Sequence, residues 1–304
     1  MIVNRETPSV FKLLFSWQGT ILPKILPPLG VVMLISGIVG GIEYVQWYHF
    51  PKFPLIGFTL IGVVLSLFLS FKNNTCYDRW WEARKLWGNL IATSRNIDRE
   101  SRILTQARRE RVIQHTLVFA NVLRDRLRRQ TVHPNELAQI SGVSEQTLYQ
   151  LYQQHNAPQY TINLIHWEIM QAYKEGEISD IIYHRFIEHL ANFGSVQAGC
   201  DRIANTPIPF AYSVLLNRTV YCFCFMLPFS LGSTLGLVTP LLVGLLTYTF
   251  LGLDALSSEL EEPFGTQSND LPLDAMVRSI EIDLLSTLGR PTPPPIQAHG
   301  NNLL

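Results

Sequence analysis

Apolar residues gather in four long runs near the two ends of the chain, and polar residues dominate the stretch between them. The first run extends from about Ile25 to Trp47. It carries Pro27-Pro28 near its start and Gly37, Gly40 and Gly41 inside. The second extends from Pro54 to Phe71, the third from about Pro209 to Leu231, and the fourth from about Leu235 to Leu253. Each is close to the roughly 20 residues that a helix needs to cross a bilayer. The pattern predicts four transmembrane helices. Arg218 sits within the third run, where a charge is costly. It is expected either to snorkel to the cytosolic end or to face a wet or protein-lined interior.

The second run has an internal order. Val63, Leu67 and Phe71 recur at four-residue spacing, which keeps them on one drifting face of a helix. Gly62, Ser66 and Ser70 form a stripe of small residues beside it, where a neighbouring backbone could come close. A membrane helix with a bulky apolar stripe and a small one beside it can pack in a ring around a pore. The run stops at Lys72-Asn73-Asn74. The asparagine pair is expected to cap or kink that end of the helix.

Between the second and third runs the period is helical throughout. Trp80, Ala83, Trp87, Leu90 and Ile91 recur at helical spacing, as do Val112, Leu117, Val118, Val122 and Leu127. Further helices are predicted over Ile162 to Lys174 and Ser179 to Ile203, and strand-like alternation is absent. Pro291, Pro293, Pro294 and Pro295 exclude regular helix from the tail. Near the N-terminus, Val10 to Leu22 carries Phe11, Leu14, Trp17 and Ile21 and reads as an interfacial amphipathic helix. Arg5 precedes it and Lys12 lies near its start, but it is too mixed for a signal-peptide core and no small-residue cleavage site follows.

Composition sharpens this picture. Of 304 residues, 47% are hydrophobic and only 16% charged, against about 25% charged in soluble domains. Net charge is zero, so nothing global points to nucleic acid. Lys24 precedes the first run, and Lys72, Arg79, Arg84 and Lys85 follow the second. The links between runs one and two and between three and four hold only Lys52. By the distribution of Lys and Arg, both termini and the large middle region are expected in the cytosol. The expected organisation is residues 1–71 (amphipathic segment and first two spans), 72–205 (cytosolic helices), 206–257 (last two spans) and 258–304 (cytosolic C-terminal segment and tail). Cys76, Cys200, Cys222 and Cys224 show no metal or disulfide spacing, and Cys222 and Cys224 are expected to be buried.

Phe71-Lys72-Asn73-Asn74-Thr75-Cys76-Tyr77-Asp78-Arg79-Trp80-Trp81-Glu82-Ala83-Arg84-Lys85-Leu86-Trp87-Gly88 resembles the bestrophin family of ion channels, in its compact bacterial branch. Two further segments match in order: Thr206-Pro207-Ile208-Pro209-Phe210-Ala211-Tyr212, and Glu261-Glu262-Pro263-Phe264-Gly265 followed by Asn269-Asp270-Leu271-Pro272-Leu273-Asp274. The resemblance implies an all-α, multi-pass protein of the bacterial inner membrane that assembles as a homopentamer around one pore. It also implies that Val63, Leu67 and Phe71 form a hydrophobic neck, which is the stripe already found by spacing. A second constriction at the cytosolic exit is implied at Ile181, with Ile182 or Ile178 as alternatives. Five copies of the stripe would stack three apolar rings that can block ions by dewetting. Animal relatives conduct chloride and carry aromatic residues at the second and third neck positions. Here the second is Leu67. The bacterial members behave as monovalent cation channels, so the expectation leans to sodium, with chloride as the alternative. In animal relatives a run of acids after Pro-Phe-Gly clasps calcium. Here only Asp270 keeps that character, a poor site for a hard cation, and no calcium gating is expected.

Other motifs carry less. Leu137 to Leu148 looks like a DNA-binding helix-turn-helix, but Ser144 to His155 holds no Lys or Arg, and phosphate contacts normally supply affinity. A plain cytosolic helix pair is expected. Arg124, Arg126, Arg128 and Arg129 read as a solvated or ion-paired face, Glu259, Glu261 and Glu262 as a solvated helix end. His184, Glu188 and His189 lack a third ligand at recognisable spacing and read as a surface helix. No nucleophile triad or nucleotide loop appears, so neither an enzyme nor a bound cofactor is expected. The reading from a different class is a membrane-anchored scaffold or sensor, with the cytosolic helices binding a partner.

Overall fold

The computed structural model describes residues 16–17, 19–48, 50, 54–130 and 134–298, and all regular structure among them is helical. The helices are α1 (Leu22–Tyr44), α2 (Leu55–Ser101), α3 (Gln106–Arg128), α4 (Pro134–Ser141), α5 (Glu145–Tyr152), α6 (Ala157–Lys174), α7 (Asp180–Asn205), α8 (Phe210–Leu235), α9 (Thr239–Glu261) and α10 (Leu273–Thr287). Phe11, Leu14 and Lys52 lie outside the described residues. Trp17 and Ile21 are not helical, so no amphipathic helix is seen in the described part of that segment. The chain forms two compact units. One holds the described residues as far as Trp80 together with Pro207–Glu262, and the other holds Trp81–Thr206 and the described residues from Pro263. The sequence placed the first division at residue 71, where charge begins. The helix does not end there. Asn73 donates its side-chain N–H to the Leu69 carbonyl at 3.0 Å, and α2 runs through the asparagine pair without a cap.

The first unit holds the long apolar helices. Leu22–Tyr44, Leu55–Ser101 and the stretch Phe210–Glu261 each contain a segment long and apolar enough to cross a membrane. The last stretch is broken by a 3-10 turn at Gly236–Val238, which separates α8 from α9. Gly236 has φ +49, a backbone region open to glycine. Phe223 and Phe250, roughly equidistant in sequence from that turn, meet edge to face at 5.3 Å, so α8 and α9 form a hairpin. Helix α1 packs along both. At Gly40 a Cβ would stand 2.6 Å from the Gly236 carbonyl oxygen, so only glycine admits this close approach. The shared core joins Ile25 and Val32 to Leu65, Leu69, Leu216, Val220, Val243 and Leu251. Between apolar helices in lipid the gain comes from close packing rather than from leaving water. Cys224 is buried as expected, but Cys222 is exposed: one position lies on the packed side of α8 and the other does not.

The second unit is a helical bundle centred on α3, which packs against α6 and α10. Phe119 of α3 stacks on Phe193 of α7 at 4.6 Å. The helix-turn-helix look-alike, α4 and α5, buries Leu137, Leu148 and Leu151 against Val118 and Val122. Its turn and cap are real: Gly142 has φ +76, and Ser144 accepts the Thr147 N–H. They serve packing. Three arginines of the run are ion-paired, Arg124 and Arg128 to Asp274 and Arg126 to Asp201, and Arg129 is exposed. Helix α10, with Val277, Ile280 and Leu284 buried, lies in the C-terminal segment, for which the sequence pattern named no helix. Beyond it no regular structure forms through residue 298, where the prolines stand.

Candidate pore-lining residues

Helix α2 has one packed face and a broad exposed one, in which Leu60, Val64 and Phe68 are 63%, 53% and 42% exposed alongside the predicted stripe. Leu65 and Leu69 are 2% and 0% exposed and enter the core of the first unit. Val63, Leu67 and Phe71 are 62%, 54% and 54% exposed. At about 100° per residue, a step of two residues turns roughly 200° around the helix. The exposed stripe therefore points away from the chain's own helices. The flank formed by Leu60, Ile61, Val64 and Phe68 borders an apolar cavity of about 370 Å³ shared with Leu215 and Leu216. Ser66 and Ser70, on the other flank, are exposed, and Ser66 donates its hydroxyl to the Val63 carbonyl at 2.8 Å. Gly62 parts company with them. A Cβ there would lie 3.3 Å from the Phe223 ring, so Gly62 makes room for a side chain of its own chain.

The first charges past the stripe are drawn inward. Lys72 is 2% exposed, and its Nζ lies 2.8 Å from Asp254 Oδ1. Arg79 donates to the Glu261 carbonyl oxygen at 3.3 Å. Glu261 in turn accepts the Ile208 N–H at 2.8 Å, and Glu259 is 7% exposed and pairs with Lys24 at 2.7 Å. Of the three acids expected to form a solvated helix end, Glu259 and Glu261 are instead docked against the chain, and Glu262 is exposed. Asp78 differs. It is exposed, and no described residue pairs with its carboxylate. Sequence reasoning passed over it, although its seven-residue offset from Phe71 was a legible signal. Arg218 is exposed at the edge of an apolar cavity of about 600 Å³ that Pro54, Phe58 and Phe223 also line.

In the second unit, Ile181 stands in the first turn of α7. Ser179 caps that helix by accepting the Ile182 N–H. Ile181 is 76% exposed, whereas Ile178 is 4% exposed and belongs to the core. The turn before it uses Gly176 at φ +72. It is clamped by Arg108, whose guanidinium reaches Glu175 at 2.9 Å and also pairs with Glu177. Burial opposes the Arg108 charge, and the bonds to Glu175 and Glu177 outweigh it, so its affinity for the proton rises.

Asp270 is 2% exposed and accepts the Gln267 N–H at 2.7 Å, closing its own loop. Among the described residues no group of three His, Cys, Asp or Glu side chains converges as a metal site. His189 is 8% exposed and bonds Glu100 at 2.9 Å. It is therefore turned into the bundle, where a surface position was expected, while His184 and Glu188 stay outside.

Comparison with known proteins follows the same lines. The sequence profile described as Bacterial/Fungal Bestrophin protein matches residues 1–286. The voltage-dependent anion channel-forming protein YneE of Salmonella typhi is 42% identical over 93% of each chain. A similarly named protein of Mesorhizobium japonicum is 38% identical over 96% of this chain and 94% of that one. The crystal structure of a bacterial bestrophin homolog from Klebsiella pneumoniae superposes with a TM-score of 0.81 at 35% identity, covering 88% of this chain and 99% of that chain. The expected lean toward sodium finds no support in the relatives, whose names speak of anions.

Proposed function

The chain belongs to the bacterial and fungal bestrophin family, and on that premise we propose that five copies form a ring in the bacterial inner membrane around one pore for small monovalent ions. Each copy crosses the bilayer four times, through α1, the first part of α2, α8 and α9, with both termini in the cytosol. The observation that carries this reading is the division of α2. Its packed face is Leu65 and Leu69, and the opposite face is an exposed apolar stripe, Val63, Leu67 and Phe71. Five such stripes facing one axis give three rings about 6 Å apart. A narrow apolar constriction of this kind excludes ions when it dewets and passes them when the helices part. Ser66 and Ser70 flank the stripe and leave a low surface on which a neighbouring copy can slide. Ile181 supplies the second constriction, at the cytosolic exit.

Each sign of ion has one observation in its favour. The names of the relatives favour anions. The neck favours cations, because Leu67 leaves Phe71 as its single aromatic ring, and ring edges are the electropositive part that would attract an anion. Mass measurement in detergent tests the ring, since a monomer would leave no pore and would favour a scaffold. Reversal potentials in asymmetric NaCl across a planar bilayer then give the sign directly.

A further inference from the structure

We propose that Asp78 forms a ring of carboxylates just inside the neck and sets the charge preference of the pore. This rests on the reading of Val63, Leu67 and Phe71 as the neck. Asp78 follows Phe71 by seven residues and Leu67 by eleven, on one unbroken helix. Seven residues are two turns short of closing by about 20°, and eleven are three turns overshooting by about 20°. Asp78 therefore projects from the same face as the neck, about 10 Å further along the axis. It is exposed, as that face requires.

The surrounding charges make this carboxylate count. Lys72 and Arg79, the cations of α2 within the first unit, are both turned into the chain. Lys72 is neutralised by Asp254 at 2.8 Å, and Arg79 bonds the Glu261 carbonyl. On the neck face of α2 within the first unit, residues 55 to 80, the described charge is then one carboxylate per chain, with no partner among the described residues. Rings of Asp or Glu attract cations and repel anions in narrow pores. A hydrated ion that has passed Phe71 would meet such a ring at once. The carboxylate acts on the ion through its field, without contact or desolvation, so its effect must fall as salt screens it.

The test is the Na⁺ to Cl⁻ permeability ratio of purified channels in planar bilayers. Asp78→Asn is expected to lower that ratio by about threefold or more at 0.1 M salt, with a smaller effect at 1 M, where the screening length drops from about 10 Å to about 3 Å. Asp78→Glu is expected to keep the parent ratio. Should Asp78→Asn fail to assemble, Asp78→Cys in a Cys222→Ser background serves instead, because Cys76, Cys200 and Cys224 are buried. A negatively charged thiol reagent should then restore cation preference, and a positively charged one should reverse it. An unchanged ratio in both series overturns the assignment of Asp78 even if alanine at the neck still raises conductance, which would leave the neck reading standing. If neck variants change nothing while Asp78→Asn still shifts the ratio, the neck is wrong and Asp78 nonetheless faces the ion path.

Discussion

Lys72 Nζ and Asp254 Oδ1 lie 2.8 Å apart, with the two side chains 1% and 11% exposed. This ion pair joins α2 to α9 inside the apolar unit. Removing one partner strands a buried charge, which costs on the order of 3–5 kcal/mol, whereas replacing both with apolar groups of similar volume is often neutral. Lys72→Met and Asp254→Leu are each expected to lower the melting temperature of the detergent-solubilised protein sharply. The double variant should recover most of the loss. A double variant as unstable as the worse single one would mean that the pair does not act as a unit.

The two faces of α2 predict opposite phenotypes. Val63, Leu67 and Phe71 replaced together by alanine should widen and wet the constriction. Flux from reconstituted vesicles should rise, with little change in thermal stability because these side chains make few contacts within the chain. Leu69→Ala should do the reverse. It opens a cavity at a position 0% exposed, at a cost of about 2–5 kcal/mol, and should not by itself make the channel leak. Vesicle flux and melting temperature, measured on the same preparations, separate the two.

Ile181 and Ile178 offer the same contrast in the second unit. Ile181→Ala removes an exposed side chain and should cost less than about 0.5 kcal/mol, while shifting the relative permeability of small and large monovalent ions. Ile178→Ala truncates a buried one and should destabilise by about 2–5 kcal/mol. If the larger change in ion permeability came from Ile178, the placement of the exit constriction would be wrong.

Much of this fold was legible because membrane helices write a coarse signal. A run of apolar residues predicts α1 and α8 to within a few positions and the start of α9, whose last eight residues lie beyond the run, and the four-residue stripe falls within the exposed part of α2. What stayed hidden depends on partners distant in sequence. Lys72 looks like the first solvated charge after a span. Its burial follows from Asp254 in α9, which no local pattern announces. Gly62 looks like one member of a small stripe, and the Phe223 ring against it reveals a different use. Glu259 and Glu261 read as a wet helix end until Lys24, Arg79 and Ile208 arrive from elsewhere. Helix α10 was not predicted in the C-terminal segment, and its buried Val277, Ile280 and Leu284 find their partner in α3, far away in sequence.

The loop after Pro263-Phe264-Gly265 gives a last expectation. Asp270 spends its carboxylate on the Gln267 N–H at 2.7 Å, while the Asp270 N–H returns to the Gln267 carbonyl at 3.1 Å. The Leu271 N–H closes the loop onto the Pro263 carbonyl at 2.9 Å. A hard divalent ion needs several oxygen ligands with carboxylates among them, and here the single acid of the segment is 2% exposed and already bonded to backbone. Micromolar calcium should therefore leave the current of purified channels unchanged. Asp270→Asn keeps the shape but weakens a charge-assisted bond to a buried N–H, so it should cost about 1–3 kcal/mol of stability. A calcium-evoked current that disappears in Asp270→Asn, with the melting temperature unaltered, would show that this carboxylate serves an ion instead of its own loop.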